Sequence, residues 1–177
     1  NRIQVPQGFD LSFVGRFPGQ PKQIALGPDG RIYATVLENG TQVGAVFALN
    51  PVSGEVQRYS SERFFSPIGL AFRPGTDELY VSARQSLDAG AGIWRVNADG
   101  SRVLITDVLP CCFDVIGNQP NGLTFGPDGW LYVGVGALTV RAEPENPEFE
   151  RFARLHPLEA SIVRINPLTS DVEIVAG

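Results

Sequence analysis

Methionine is missing from the chain, even at position 1. A chain that starts at Asn1 in this way is expected to be a processed product or part of something longer. A removed secretory signal and a trimmed end explain that start equally well. Lysine occurs once, at Lys22, and histidine once, at His156, and the formal net charge is -5. An acidic chain without a basic run has no electrostatic footprint for nucleic acid or for an anionic membrane surface. No apolar run approaches the ~18 residues that a membrane-spanning helix needs. The two cysteines are neighbours, Cys111 and Cys112. A tetrahedral metal site needs ligands that converge, which two adjacent thiols alone do not provide. Two readings of the pair stay open: a strained vicinal disulfide, or two free thiols in a turn after Pro110.

Glycine and proline are abundant, 20 and 14 of 177 residues, and 43% of the chain is hydrophobic. That composition favours many short strands separated by turns. The stretch from Gln119 to Gly136 reads as two strands joined by the tight turn Pro127-Asp128-Gly129. It has two relatives in the chain. Pro21 to Ala34 carries the turn Pro28-Asp29-Gly30, and Pro67 to Val81 carries a lengthened turn at Gly75-Thr76-Asp77. Each hairpin is followed by an apolar strand, an asparagine-led turn (Asn50, Asn97, Asn166) and an outer strand. Pro21 and Pro67 are 46 residues apart, and Pro67 and Pro120 are 53 apart.

A four-stranded unit recurring every ~40–50 residues is the signature of β-propeller blades. The expected fold is therefore all-β: a β-propeller of three four-stranded blades, half of a six-bladed ring. The blades are expected over 21–59, 67–106 and 120–176, with an extra closing strand over 9–14 and a charged insertion over 137–159. Tyr33, Tyr80 and Tyr132 share one register; Phe47, Trp94 and Val163 share another, and both sets are expected between blades. Phe72 and Phe125 share a third, with Leu26 as their counterpart.

The short turns after the first and third strand of each unit fall on one face of such a fold. Asp29 and Asp128 are accordingly structural turn residues. The long, dissimilar loops fall on the other face, where a rigid scaffold carries its site. The central mouth there would be lined by residues entering the innermost strands: Lys22 and Gln23, Ser66 and Ile68, and Asn118, Gln119 and Asn121. His156 lies in the charged insertion beside Arg151, Arg154 and Glu159. It is the one side chain of its type for acid–base work, and equally an ordinary loop histidine before Pro157.

Gln119 to Gly136, with Ile162 to Pro167, resembles the glucose/sorbosone dehydrogenase family of soluble sugar dehydrogenases that use pyrroloquinoline quinone (PQQ). The first two units look more generally like NHL or gluconolactonase-type propellers. The resemblance implies a six-bladed propeller exported from the cytoplasm, secreted or periplasmic. In active members it implies the quinone with calcium for sugar oxidation. It also implies a catalytic histidine just before the glycine that opens the strand, and a Gly-Asp pair after the hairpin. Here the matching residues run Gly117 to Gly122 without histidine, and the hairpin ends Val135-Gly136-Ala137 without aspartate. An adjacent cysteine pair lies beside the quinone in a different propeller family, and Cys111-Cys112 is similar to it.

The expected role is therefore a binding or assembly module of this group, taking a small sugar-like ligand. Its partner would be the remaining half of the propeller, a second copy of the chain, or another subunit. The alternative is part of an active PQQ-dependent sugar dehydrogenase. A metal-dependent lactonase is a third option, and would need acidic and amide ligands at the mouth.

Overall fold

The computed structural model describes residues 3–86, 90–111, 119–136 and 156–177. Within them the chain forms thirteen strands and no helix. The strands fall into three antiparallel meanders. The first runs β1 (Gln20–Leu26), β2 (Ile32–Leu37), β3 (Val43–Leu49) and β4 (Val56–Arg58). After β5 (Phe64–Phe65) comes the second: β6 (Leu70–Phe72), β7 (Leu79–Arg84), β8 (Ala91–Val96) and β9 (Arg102–Leu109). The third comprises β10 (Asn121–Phe125), β11 (Leu131–Val135), β12 (Ser161–Ile165) and β13 (Val172–Ala176).

Turn chemistry sets the registers. Gly30 and Gly129 stand at φ of 77° and 78°, left-handed values that glycine adopts without steric cost. Asp29 accepts the Arg31 amide and Asp128 the Trp130 amide, which closes each turn. Asn50 and Asn166 each accept two backbone amides through the side-chain oxygen at the start of the outer turn.

The meanders stack face to face. The inner strands β1, β6 and β10 lie side by side. One apolar cluster fills the first boundary, with Tyr33, Val46 and Ala48 against Phe64, Leu70, Leu79, Val81, Trp94 and Val96. A second fills the next, with Tyr80, Ala91, Ile93 and Leu109 against Leu123, Leu131, Val133, Val163 and Ile165. Tyr33 meets Phe72 edge-on with ring centroids 4.8 Å apart, and Tyr80 meets Phe125 at 5.2 Å. The tyrosine of one unit thus contacts the phenylalanine on the inner strand of the next.

A repeated hydroxyl ties the boundaries. Thr35 Oγ1 accepts the Gln23 amide of its own inner strand and donates to the Ile68 carbonyl of the next unit, at 2.7 Å. Ser82 Oγ likewise accepts the Gly69 amide and donates to the Pro120 carbonyl at 2.7 Å. The third unit has Gly134 at this place. The connector between the first two meanders also contributes β5, which pairs with both β3 and β7 and joins them into one nine-stranded sheet.

Two expectations need revision. Residues 9–14 form no strand: Phe9, Leu11 and Phe13 are exposed and pair with none of the thirteen strands. A strand persists only where its backbone groups find a ladder partner, and none of these sheets offers one there. The chain just beyond, Val14 to Gly19, lies against the first unit. Gly15 sits over Leu49, and Gly19 sits so close to the Leu37 carbonyl that any Cβ would collide with it. The second revision is β5, which falls between the expected blade ranges 21–59 and 67–106, where no strand is expected. Most of the expected charged insertion lies outside the described residues.

Candidate functional site

The inner strands enter from the long-loop side, and their first residues line a cavity of about 420 Å³. Lys22 and Gln20 come from β1, Ser66 and Ile68 from the entrance to β6, and Gln119 from the entrance to β10. Thr41 and Gln42 reach it from the loop after β2. A second cavity of about 540 Å³ adjoins, lined by Gln119, Asn121, Gly134, Gly136, Ser161 and Ile162 among others. Gln119 belongs to both walls.

Gln119 is only 4% exposed, and its Nε2 donates to Ser66 Oγ at 2.7 Å. Its Oε1 is buried without a hydrogen-bond partner. Turning the amide over would leave the nitrogen unpartnered instead, so one polar atom of Gln119 is unsatisfied either way. Such a group costs about 1–3 kcal/mol of desolvation. Ser66 itself stands at φ of 46°, a left-handed value unusual outside glycine, and its Oγ also reaches Gln42 Oε1 at 3.4 Å. The mouth therefore combines one cation, several amide and hydroxyl groups, an unmatched acceptor and a strained backbone.

The named candidates separate. Lys22 and Gln119 share the first cavity, and Gln119 and Asn121 share the second. Gln23 is used elsewhere: its Nε2 donates to the Leu70 carbonyl at 3.1 Å, a tie between the first two units. Asn118 and Cys112 lie outside the described residues. Cys111 is disulfide-bonded. His156 is exposed and its Nδ1 accepts the Leu158 amide at 3.2 Å, a local turn contact. Gln20 and Gln42 also line the mouth, beyond the residues expected from the sequence. Gln42 sits in the long loop after β2, so loop length was the available signal.

The opposite face is occupied by ionic clasps. Burial raises the Asp29 carboxyl, but hydrogen bonds from the Arg31 backbone and side chain and from Tyr33 outweigh it and hold the acid below its usual range. Glu78 follows the same pattern with Arg73, Arg95 and Tyr80. Asp128 does so with Tyr132, the Trp130 amide and Arg164. Burial in turn pushes the Tyr33 and Tyr80 hydroxyls up. Carboxylates engaged in this way do structural work at the turns.

No family model matches the chain, and no curated protein matches it. Among solved structures it is similar to the PQQ-bound form of aldose sugar dehydrogenase from Streptomyces coelicolor. The TM-score is 0.58 at 17% identity, over 90% of this chain and 48% of that one. It is also similar to a chain of the nidogen/laminin complex, with a TM-score of 0.57 at 19% identity, over 88% of this chain and 48% of that one. The fold is an all-β propeller. This chain spans about half the length of each of those chains. Identities this low establish the architecture and leave the activity to the site.

The resemblance implies pyrroloquinoline quinone at this mouth. That cofactor carries three carboxylates, and calcium takes six to eight oxygen ligands. Lys22 is the one cation on the described wall, which carries no carboxylate and no imidazole. Among the described residues no cluster of three or more histidine, cysteine or acidic side chains could hold a metal. The described donor set does not fit the quinone–calcium pair.

Proposed function

We propose that the chain is a propeller segment, about half of a six-bladed ring, that acts as a binding or assembly module outside the cytoplasm. Its mouth takes a small, neutral, hydroxyl-rich ligand of sugar-like size. The observation that carries this is the buried, unmatched polar atom of Gln119 where two cavities meet, beside Lys22 and Ser66. A ligand hydroxyl can either donate or accept, so it satisfies that atom whichever way the amide is turned. Lys22 would add a donor at the rim. The resemblance to exported propellers supports a location outside the cytoplasm. So does the exposed loop Asn39-Gly40-Thr41, a glycosylation acceptor sequence.

Calorimetric titration with a panel of aldoses and polyols tests the reading. A member of the panel should bind, and Gln119→Leu should weaken it about tenfold or more, the effect of one lost buried hydrogen bond. Equal binding by wild type and Gln119→Leu would remove the basis for the mouth assignment. Dye reduction by the chain supplied with the quinone, calcium and an aldose separates the enzyme alternative. The expected result is no turnover, and clear turnover would replace the binding-module reading with the dehydrogenase one.

A further inference from the structure

Lys22 is the one described cation on the wall of the first cavity, and it has no counter-charge there. Arg31, Arg63, Arg73, Arg95, Arg102 and Arg164 are each ion-paired to a carboxylate. Among the described residues Lys22 has neither an ion pair nor a hydrogen bond. The polar part of the wall around it is neutral, with amides from Gln20, Gln42 and Gln119 and hydroxyls from Thr41 and Ser66. Glu38 stands at the root of the loop that brings Gly40 to Gln42 to the cavity, and Arg63 already binds it at 3.0 Å. Lys22 is also the only lysine in a chain whose other cations are arginine.

The backbone sets this cation at the mouth. Pro21 pairs with Val36 and Ile24 with Ala34, so Lys22 and Gln23 together stand opposite Thr35 alone. A bulge of this kind adds one residue to the strand and re-aims the side chains it carries. Thr35 fixes the bulge, because its Oγ1 accepts the Gln23 amide and donates to the Ile68 carbonyl of the next unit. The Gln23 side chain is occupied by the Leu70 carbonyl, and Lys22 is the member of the pair that lines the cavity. The same wall carries Gln119, 4% exposed, with its unmatched polar atom.

We infer, resting on the mouth reading above, that this cavity selects among hydroxyl-rich ligands by charge. It binds one that carries a single carboxylate, a hexuronate, more tightly than the neutral sugar of the same size. A neutral sugar can match Gln119 but leaves the Lys22 charge unpaired. A carboxylate pairs that charge and accepts a charge-assisted hydrogen bond from the ammonium. One cation matches one negative charge. A phosphate monoester carries about two at neutral pH, and the second would be desolvated on this wall without a partner. The formal charge of -5 opposes any anion at long range. At physiological salt, charges more than about 8 Å apart are largely screened, so the local sign at the mouth decides. Ligand cavities run from about 300 to 1,000 Å³, and this one, at about 420 Å³, suits a single sugar acid.

Calorimetric titration with a panel of hexuronates, each paired with its methyl ester, tests the inference, because acid and ester differ chiefly in charge. At low salt the wild-type chain should bind the preferred acid about three- to tenfold more tightly than its ester, the effect of one partly exposed charged contact. Added salt should shrink that ratio. Lys22→Gln should bring the ratio to about one, and Lys22→Arg should keep it above one. Lys22 is exposed, so both variants should keep the wild-type far-UV circular dichroism. Gln119→Leu should weaken acid and ester together and preserve the ratio. A wild-type ratio of one would overturn the charge selection, as would a preference that survives Lys22→Gln. A hexose phosphate that outbinds every hexuronate would overturn the carboxylate assignment. Esters and aldoses that bind in a Gln119-dependent way, without any preference for the acids, would sink this inference and leave the mouth reading standing. No binding by any acid, ester or aldose would sink both.

Discussion

Ser82 and Gly134 hold the same place in consecutive units, and only Ser82 holds a neighbour. Its hydroxyl bridges the Gly69 amide and the Pro120 carbonyl, so the boundary after the second unit is closed by a buried hydrogen-bonded link as well as by apolar packing. At Gly134 the link is missing and a cavity lies beside the residue. The same contrast separates Tyr80 from Tyr132 and Ile93 from Ile162. One local design gives a core where a neighbour is present and an open face where none is. Burial at a repeat position is therefore a property of the stack rather than of the unit.

The largest expected effect compares the two tyrosines. Tyr80→Ala should cost about 3–5 kcal/mol in urea unfolding, the range for truncating a fully buried aromatic. Tyr132→Ala should cost about 1 kcal/mol, chiefly the hydrogen bond to Asp128. Equal costs would mean that Tyr132 is packed as tightly as Tyr80. Next is the hydroxyl link. Ser82→Ala leaves the Gly69 amide and the Pro120 carbonyl without this partner and should lower stability by about 1–3 kcal/mol. The reciprocal Gly134→Ser should change it by no more than about 0.5 kcal/mol. A Cβ there would stand 3.4 Å from the Asn121 carbonyl oxygen, so the side chain fits but meets no downstream unit among the described residues.

The smallest effects are in pH. The Glu78 carboxyl is held below its ordinary value of 4.5. Its contribution is present above that value and lost as pH falls through the depressed folded pKa. Glu78→Gln should flatten the acid limb of melting temperature against pH. The Tyr33 and Tyr80 hydroxyls are raised above 10.0. Their contribution is complete below that value and declines as pH rises from it toward their folded pKa. A melting temperature that is level between pH 9 and 11 in buffered scans (about one unit either side of the free tyrosine value) would contradict this.

The meander order was legible because the turn signals recur at fixed offsets. Pro28-Asp29-Gly30, Pro127-Asp128-Gly129 and the asparagine turns each impose a local geometry that needs no knowledge of the rest of the chain. The stacking residues were legible for the same reason, through the shared register of Tyr33, Tyr80 and Tyr132. Three things were not. The alternation of Phe9, Leu11 and Phe13 states a preference for extended backbone but supplies no partner. The two-residue β5 is too short to carry a period, and it forms because β3 and β7 leave edges on either side of it. At the mouth, the sequence places Gln23 and Lys22 equally close to the entrance, but adjacent strand residues point to opposite sides. Lys22 faces the cavity, and Gln23 reaches across to the Leu70 carbonyl. The unmatched atom of Gln119 depends on three-dimensional neighbours and has no sequence signature.

β5 also bears on how the molecule comes apart. Phe64 and Phe65 carry backbone hydrogen bonding across the first boundary, so the first two meanders are one continuous ladder. Among the described residues the second boundary is crossed only by side chains. Opening of the first boundary must break a ladder, whereas the third meander can separate with its own ladder intact. The third meander should then be a subunit of lower cooperativity. In native-state hydrogen exchange, amides of β10 to β13 should reach solvent through a cheaper partial opening, while those of β2, β3, β7 and β8 exchange only through global unfolding.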